Sequence, residues 1–389
     1  MAETRKASRF VVPVAVAGVA AATIGLVPAL AASGDPDLPE ITARQLIEKI
    51  AASDTQTLSG TFKISTDLGL PSLGGLASGL GGLGGDGSSS ADPSEKLTEL
   101  VSGSHTLRVA ADGPERQRLT LLDGSDEYSL IHNGDDVWAY DSKSNEAFHE
   151  KGASGAGEKD EPLPGTPGQL ADEVLKAAGD TTSITVDGTA KVAGRDAYQL
   201  VIKPKQTGST VESVKIAVDA ANGTPLKFTL SSVEGGKPVV DAGFTKVDFG
   251  KPAASEFTFE APKGAKVTEG AAEKGEKAAG DLPEGFEEGI PGLGKAFGGS
   301  GSGEGPDVIG EGWTTIAKID TGAPAPGTDE APKEIQGFLD SFGDKVTGKF
   351  GSGTVFKTKL VNALLTDDGK VYVGAVTKDA LVAVANAGK

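Results

Sequence analysis

SHTLRVAADGPERQRLTLLDGSDEYSLIHNGDDVWAYDSKSNEAFH, residues 104–149, decides how this 389-residue chain is read. Apolar and polar residues alternate along it almost without pause, so each run buries one face and wets the other, as an antiparallel strand does. Turn signals at Asp112-Gly113 and Asn133-Gly134-Asp135-Asp136 separate the runs, which predicts a meander of neighbouring strands. A second series runs from Ser183 to Glu260: SITVDGTAKV, RDAYQLVIKP, ESVKIAVDA, LKFTLSSVE, PVVDAGFTKVDF and EFTFEAP, with hairpin signals at Asn222-Gly223 and Gly235-Gly236.

Helices interrupt these series rather than alternate with strands. PEITARQLIEKIAASD sets Ile41, Leu46, Ile47 and Ile50 on one side and charges on the other, and the strand TLSGTFKISTDL follows it. PSEKLTELVSG (93–103) reads as a short helix before the first series, and GQLADEVLKAAGD as another before the second, with Leu170, Val174 and Leu175 apolar and Gly179 at its end. About eleven strands with three short helices exclude a doubly wound sheet, because parallel crossovers need a helix between successive strands. The expected fold class is α+β, an antiparallel sheet curling around helices. A smaller α+β unit begins near Trp313: WTTIAKID, a helix PKEIQGFLDSF, VTGKF, TVFKTKLVNALLTDD, KVYVGAV and a closing helix TKDALVAVANA. The expected domains are an N-terminal signal or anchor (1–32), a sheet domain (33–268), a Gly/Glu/Lys-rich linker (269–308) and a C-terminal α+β domain (309–389).

Arg5, Lys6 and Arg9 precede FVVPVAVAGVAAATIGLVPALAA, which closes on Ala29-Leu30-Ala31, the pattern of an export signal. The run is nearly long enough to span a bilayer, so an uncleaved N-terminal anchor is the alternative. Either reading puts the remainder outside the cytoplasm, secreted or held at the cell envelope. The chain has no cysteine, which excludes disulfides, thiolate metal sites and a lipid-modified cysteine. Its formal charge is −18, and residues 1–31 carry one acid and three bases, so the rest is near −20. Such a surface disfavours nucleic acid and anionic headgroups as general partners. The Gly/Ala-rich, acidic composition suits a high-GC actinobacterial source.

Catalytic motifs are missing from the pattern. His105, His132 and His149 are scattered over different strands, and no nucleophile elbow, Walker loop, dinucleotide fingerprint or EF-hand spacing occurs. Asp135-Asp136 and Asp367-Asp368 read as hairpin turns. A non-enzymatic protein without cofactor or metal is expected.

Within 113–148, the Pro114-to-Arg118 strand, LIHNGDD and Trp138-Ala139-Tyr140-Asp141 stand in sequence; TPGQLADEVL (166–175), VESVKIAVDAANGTPLKFTLSS (211–232) and FTKVDFGKPAASEFTFEAPKGAKV (244–267) follow. In this order the blocks resemble the LolA-like lipoprotein-carrier superfamily, which takes in LppX and the RseB-type regulators, over roughly residues 38–268. The resemblance implies a strongly curved, unclosed half-barrel with an apolar concave face under a helical lid, and acyl chains of a lipid or lipoprotein between them. It implies that Arg118 matches the carriers' arginine that latches the lid; a solvated strand arginine is the alternative. Leu119 replaces the carriers' neighbouring aromatic.

The acyl-contact candidates are Leu119, Leu130, Leu170 and Val174, with Trp138 and Tyr140, whose shared face is either cavity wall or structural core. LGLPSLGGLASGLGGLGG (68–85) adds Leu70, Leu73, Leu76, Leu80 and Leu83 as a glycine-softened flap, or else is a low-complexity insertion. Burial of acyl carbons supplies roughly 0.8 kcal/mol per methylene, enough for binding without polar recognition. The expected function is an exported, monomeric lipid or lipoprotein carrier. An RseB-like regulator that binds a membrane anti-sigma partner is the second expectation, and a structural envelope protein the third.

Overall fold

The computed structural model describes residues 36–69, 103–151, 167–270, 307–320 and 343–388. The N-terminal apolar run, Leu70, Leu73, Leu76, Leu80 and Leu83, the PSEKLTELVSG segment apart from Gly103, and PKEIQGFLDSF lie outside the described residues.

Helix α1 (Ala43–Ala51) begins with a reciprocal cap: Thr42 Oγ1 accepts the Gln45 amide at 3.2 Å, and Gln45 Oε1 accepts the Thr42 amide at 2.9 Å. It leads into β1 (Thr57–Thr66). The first meander is β2 (Gly103–Asp112), β3 (Arg116–Asp123), β4 (Asp126–Asn133), β5 (Asp136–Asp141) and β6 (Glu146–Lys151). Helix α2 (Pro167–Ala178) precedes the second: β7 (Thr182–Val192), β8 (Arg195–Pro204), β9 (Val211–Asp219), β10 (Pro225–Ser232) and β11 (Val240–Asp248). Because β1 pairs with both β2 and β11, the two meanders join into one sheet of twelve strands, ordered β12-β6-β5-β4-β3-β2-β1-β11-β10-β9-β8-β7. The sheet is large, curved and unclosed, with β7 and β12 (Lys266–Glu269) at its free edges.

One expected strand is not one. EFTFEAP forms a 3-10 turn over Ala254–Phe257 and then an irregular strap across the sheet, and the chain pairs again only at β12, parallel to β6. Its apolar period of two serves a strap as well as a strand: Phe257 is 1% exposed, and Phe259 packs on Trp138 and Tyr140 with ring centroids 5.2 and 5.4 Å away. Full burial of such a side chain contributes about 1.5–3 kcal/mol.

A second, six-stranded sheet, β13-β14-β18-β17-β16-β15, comprises β13 (Asp307–Ile309), β14 (Ile316–Asp320), β15 (Gly343–Gly348), β16 (Gly351–Phe356), β17 (Asn362–Thr366) and β18 (Lys370–Gly374). Helix α3 (Lys378–Ala387) closes its core of Ile316, Phe350, Val355, Leu364, Tyr372, Val376 and Leu381. TVFKTKLVNALLTDD is therefore two strands, bent where Thr358 Oγ1 accepts the Val361 amide at 2.8 Å and Asn362 Oδ1 accepts the Thr358 amide at 3.0 Å. The β8–β9 loop joins the two sheets. Thr210 N donates to the Ala375 carbonyl at 3.0 Å, Thr377 N to the Gly208 carbonyl at 2.7 Å, and Trp313 N to Gln206 Oε1 at 2.9 Å.

Candidate functional site

Register sorts the large sheet into two surfaces, since directly paired residues of an antiparallel ladder share a face. Leu200, Ile216, Phe228, Ala242 and Ile64 pair in succession across β8, β9, β10, β11 and β1. On the same face Phe62 pairs with both Phe244 and Leu107, and Leu107–Leu121–Tyr128 continue the row into β4. This face carries the helices: Leu46 and Ile47 of α1 and Ala171 of α2 pack on Tyr198, Leu200 and Val218.

Both helices are tied as well as packed. Arg44 of α1 donates through Nε and Nη2 to the two carboxylate oxygens of Asp172 on α2, at 2.7 and 3.1 Å. These bonds, with the Asp172 charge, raise the Arg44 pKa, and Asp172 is lowered in turn by the same bond. Upstream of α1, Tyr198 Oη donates to the Pro39 carbonyl at 3.0 Å and Thr189 Oγ1 to the Pro36 carbonyl at 2.8 Å. The β9–β10 turn fits against the end of α1 so closely that a Cβ on Gly223, at φ +78°, would overlap the Lys49 carbonyl.

Beyond the helices the same face continues as Phe62, Leu107, Leu121, Tyr128, Ala139 and Phe244, all under 8% exposed, with Phe62 edge-on to Phe244 at 5.1 Å. Leu58, Ile64, Val109, Leu119, Leu130 and Phe148 fringe this cluster, partly buried. Leu119 and Leu130 pair directly. They are joined on this face by Val174 of α2, which packs against the helix-side cluster. The Leu170 side chain lies outside the described residues.

The opposite face has another chemistry. Arg118 pairs with Ala110 and Ile131, and Ile131 with Trp138, so Arg118 and Trp138 point away from the helices; Tyr140, paired with Ser129, does the same. The resemblance implied that Arg118 would reach the helical lid. In the structure its Nη1 donates to the Glu256 carbonyl of the strap at 3.3 Å and its Nε to Thr120 Oγ1 at 3.3 Å. Trp138 and Tyr140 lie under Phe259 and do not join Leu119 and Leu130. The His149 ring stacks on Trp138, with centroids 3.9 Å apart, and bridges Glu269 (Nδ1, 2.9 Å) and Asp136 (Nε2, 3.0 Å), fastening β12 to the sheet.

Between this face and the start of the strap lies a cavity of about 590 Å3, lined by residues of β1, β2, β3 and β11 and by Pro252, Ala253 and Glu256. Arg108 and Lys246, which flank it, are residues that sequence reasoning passed over. The available signal was their position next to core residues: Arg108 follows Leu107, and Lys246 follows Phe244 by two across a strand irregularity. Among the described residues, no three His, Asp or Glu side chains are placed to hold a metal ion, and no helix is long and apolar enough to cross a membrane.

No family model and no curated protein matches the chain. Solved structures similar to it include the MucA/MucB complex of Pseudomonas aeruginosa, 15% identical over 88% of this chain and 96% of that one, with a TM-score of 0.37. MucB in complex with MucA(peri) is 16% identical over 88% of this chain and 97% of that one, with a TM-score of 0.38. A LolA superfamily protein from Nitrosomonas europaea is 10% identical over 57% of this chain and 99% of that one, with a TM-score of 0.20. The structural neighbours of this chain thus include MucB and a LolA superfamily protein.

Proposed function

We propose that this chain is an exported, non-enzymatic binding protein that takes the acyl chains of a lipid or lipoprotein on the helix-bearing face of its large sheet. One observation carries the reading: register puts the apolar residues under α1 and α2 and the cluster of Phe62, Leu107, Leu121 and Tyr128 on one face of the large sheet, the latter fringed by partly exposed Leu119, Leu130, Ile64 and Val109. Such a surface binds by area, and its fringe gives an acyl chain apolar contact as soon as it arrives. The sequence blocks that resemble the lipoprotein carriers agree in kind. The chemistry is non-covalent.

Native mass spectrometry of the exported protein purified without detergent, followed by lipid extraction, tests this. A stoichiometric acylated species is expected, displaced competitively by added fatty acid. A clean apo mass with no uptake of fatty acid or lipopeptide would sink the proposal.

The two-sheet layout favours a second reading, a regulator that senses lipid and binds a membrane protein's extracytoplasmic segment. The loop from Gln206 to Thr210 fixes the second sheet to the first through hydrogen bonds to Ala375, Thr377 and Trp313, a connection that supports such a regulator. MucB is solved in complex with MucA, and this reading takes the same form. Capture of a membrane protein by the full chain, lost when the second sheet is removed, separates it from a simple carrier.

A further inference from the structure

We infer that the cavity on the face away from the helices is a binding site for a phosphate ester, held by Arg108, Arg118 and Lys246. The cavity measures about 590 Å3 and is formed where the strap leaves the sheet, a size within the usual range for small-ligand pockets. Thr61 of β1 pairs on one side with Lys246 of β11 and on the other with Arg108 of β2, so the two cations flank one hydroxyl in a single row. Arg118 stands one strand further, in the adjacent row, where Ala110 is its partner. Three cations thus gather around one cavity of a protein whose formal charge is −18. Ser59 and Thr61 belong to the same wall, and Thr120, 2% exposed, accepts from Arg118 Nε behind it.

Two carboxylate residues, Asp248 and Glu256, also line the space, so the three cations outnumber the anions around it by one. Asp248 accepts the Gly250 amide at 2.6 Å, and Glu256 meets Arg118 through its main-chain carbonyl. Guanidinium, ammonium and hydroxyl donors around one space match the several acceptor oxygens of a phosphate, and a cleft focuses their field. The room exceeds that of a bare oxyanion, which selects an ester with a polar body. Leu107 and Leu119 face the other side of the sheet from Arg108 and Arg118, their chain neighbours at the cavity, while Val109 of the acyl fringe also borders it.

The donor chemistry is shared by a soluble phosphate ester and by an anionic phospholipid headgroup, and the test separates these sources. The full chain is titrated calorimetrically with sn-glycerol 3-phosphate and, separately, sedimented with vesicles of phosphatidylglycerol or of phosphatidylcholine. Binding that weakens with added salt is expected, and the Arg108→Gln/Lys246→Gln pair lowers it at least tenfold. Both side chains are exposed and glutamine keeps a polar group at each position, and thermal melting checks that the variant keeps the fold; Arg118→Gln is the second variant if it does not. Lys318→Gln, on the second sheet beside Asp307, leaves binding unchanged. Response to glycerol phosphate alone assigns a soluble ester, and preferential response to phosphatidylglycerol vesicles assigns a headgroup. No binding of either probe, or equal binding by parent and variants, overturns the site.

Discussion

The two faces of the large sheet are built from the same strands, yet one carries the helices over apolar clusters and the other sets Arg108, Arg118 and Lys246 beside the aromatic contacts of a strap. Leu107 and Arg108 are neighbours in the chain, as are Leu119 and Arg118, and each pair straddles the sheet. The helix-bearing face is held by area and shape. The other is held by particular partners: Phe257 and Phe259 in the strap, His149 between two carboxylates, and Arg118 on the Glu256 carbonyl. A period of two is therefore enough to put two separate binding chemistries on one sheet.

Truncation on the apolar face should cost most. Phe62→Ala leaves a cavity beside Phe244 at a site 3% exposed, and should lower unfolding free energy by about 3–5 kcal/mol. Thr61→Ala, one residue away on the cavity wall, should cost less than about 1 kcal/mol. Urea titration of both variants checks the contrast, and equal losses would break it.

Next in size is a buried ion pair. The Asp219 side chain is 1% exposed; Arg195 donates to it through Nε and, at 3.1 Å, Nη2, and the Ala221 and Asn222 amides reach it at 2.9 and 3.0 Å. Burial pushes this carboxyl up, but the Arg195 bond and the two amides outweigh it, so its pKa lies below the ordinary carboxylate value. A carboxyl depressed by folding stabilises the protein above its unfolded pKa of about 4 and loses that contribution as pH falls through its lower native value. Asp219→Ala strands the Arg195 charge and should cost about 3 kcal/mol at neutral pH. Its acid unfolding curve should also lie flatter than the parent's below about pH 4; parallel curves would remove the pair from the account.

Much of this was legible in the sequence, for local reasons. DEYSLIHN, DVWAYD and RDAYQLVIKP coincide with β4, β5 and β8, because alternation and flanking glycine turns act within ten residues or so. The strap and β12 were not legible, because β12 finds its partner across more than a hundred residues, with Lys266 opposite Glu146. The surface shared by Leu119 and Leu130 follows from register between strands, which alternation within one strand does not supply. Grouping Trp138 and Tyr140 with them fails for the same reason: each alternates correctly in its own strand, and only pairing says which side is which.

A smaller effect asks whether either face depends on the second sheet. Lys359 Nζ pairs with Asp67 Oδ2 at 2.7 Å, while the Lys359 amide donates to the Leu68 carbonyl at 2.9 Å. The Lys359 bond and then the Gly69 amide hold the Asp67 pKa below its ordinary value. Asp67 is 39% exposed, so solvent screens the pair, and Lys359→Met should cost under about 1 kcal/mol, with the difference vanishing as pH falls below about 4. A larger loss in thermal unfolding at pH 7 would show that the first sheet leans on the second.

The smallest equilibrium effect should belong to the residue with the most to say about function. Arg44 ties α1 to α2 through Asp172, but the two side chains are 48% and 61% exposed, and the contact that holds the helices down is apolar, through Leu46 and Ala171. Arg44→Met should therefore leave thermal unfolding nearly where it is. If acyl chains pass beneath these helices, the tie must open on each binding event, and removing it should speed fatty-acid association several-fold in stopped-flow fluorescence. Dissociation should speed up in step, since the empty and loaded states both lose the tie, so affinity changes little while both rates rise. Unchanged rates with binding still saturable would mean that α1 and α2 stay seated, and would move the acyl chain to the fringe around Leu119 and Leu130.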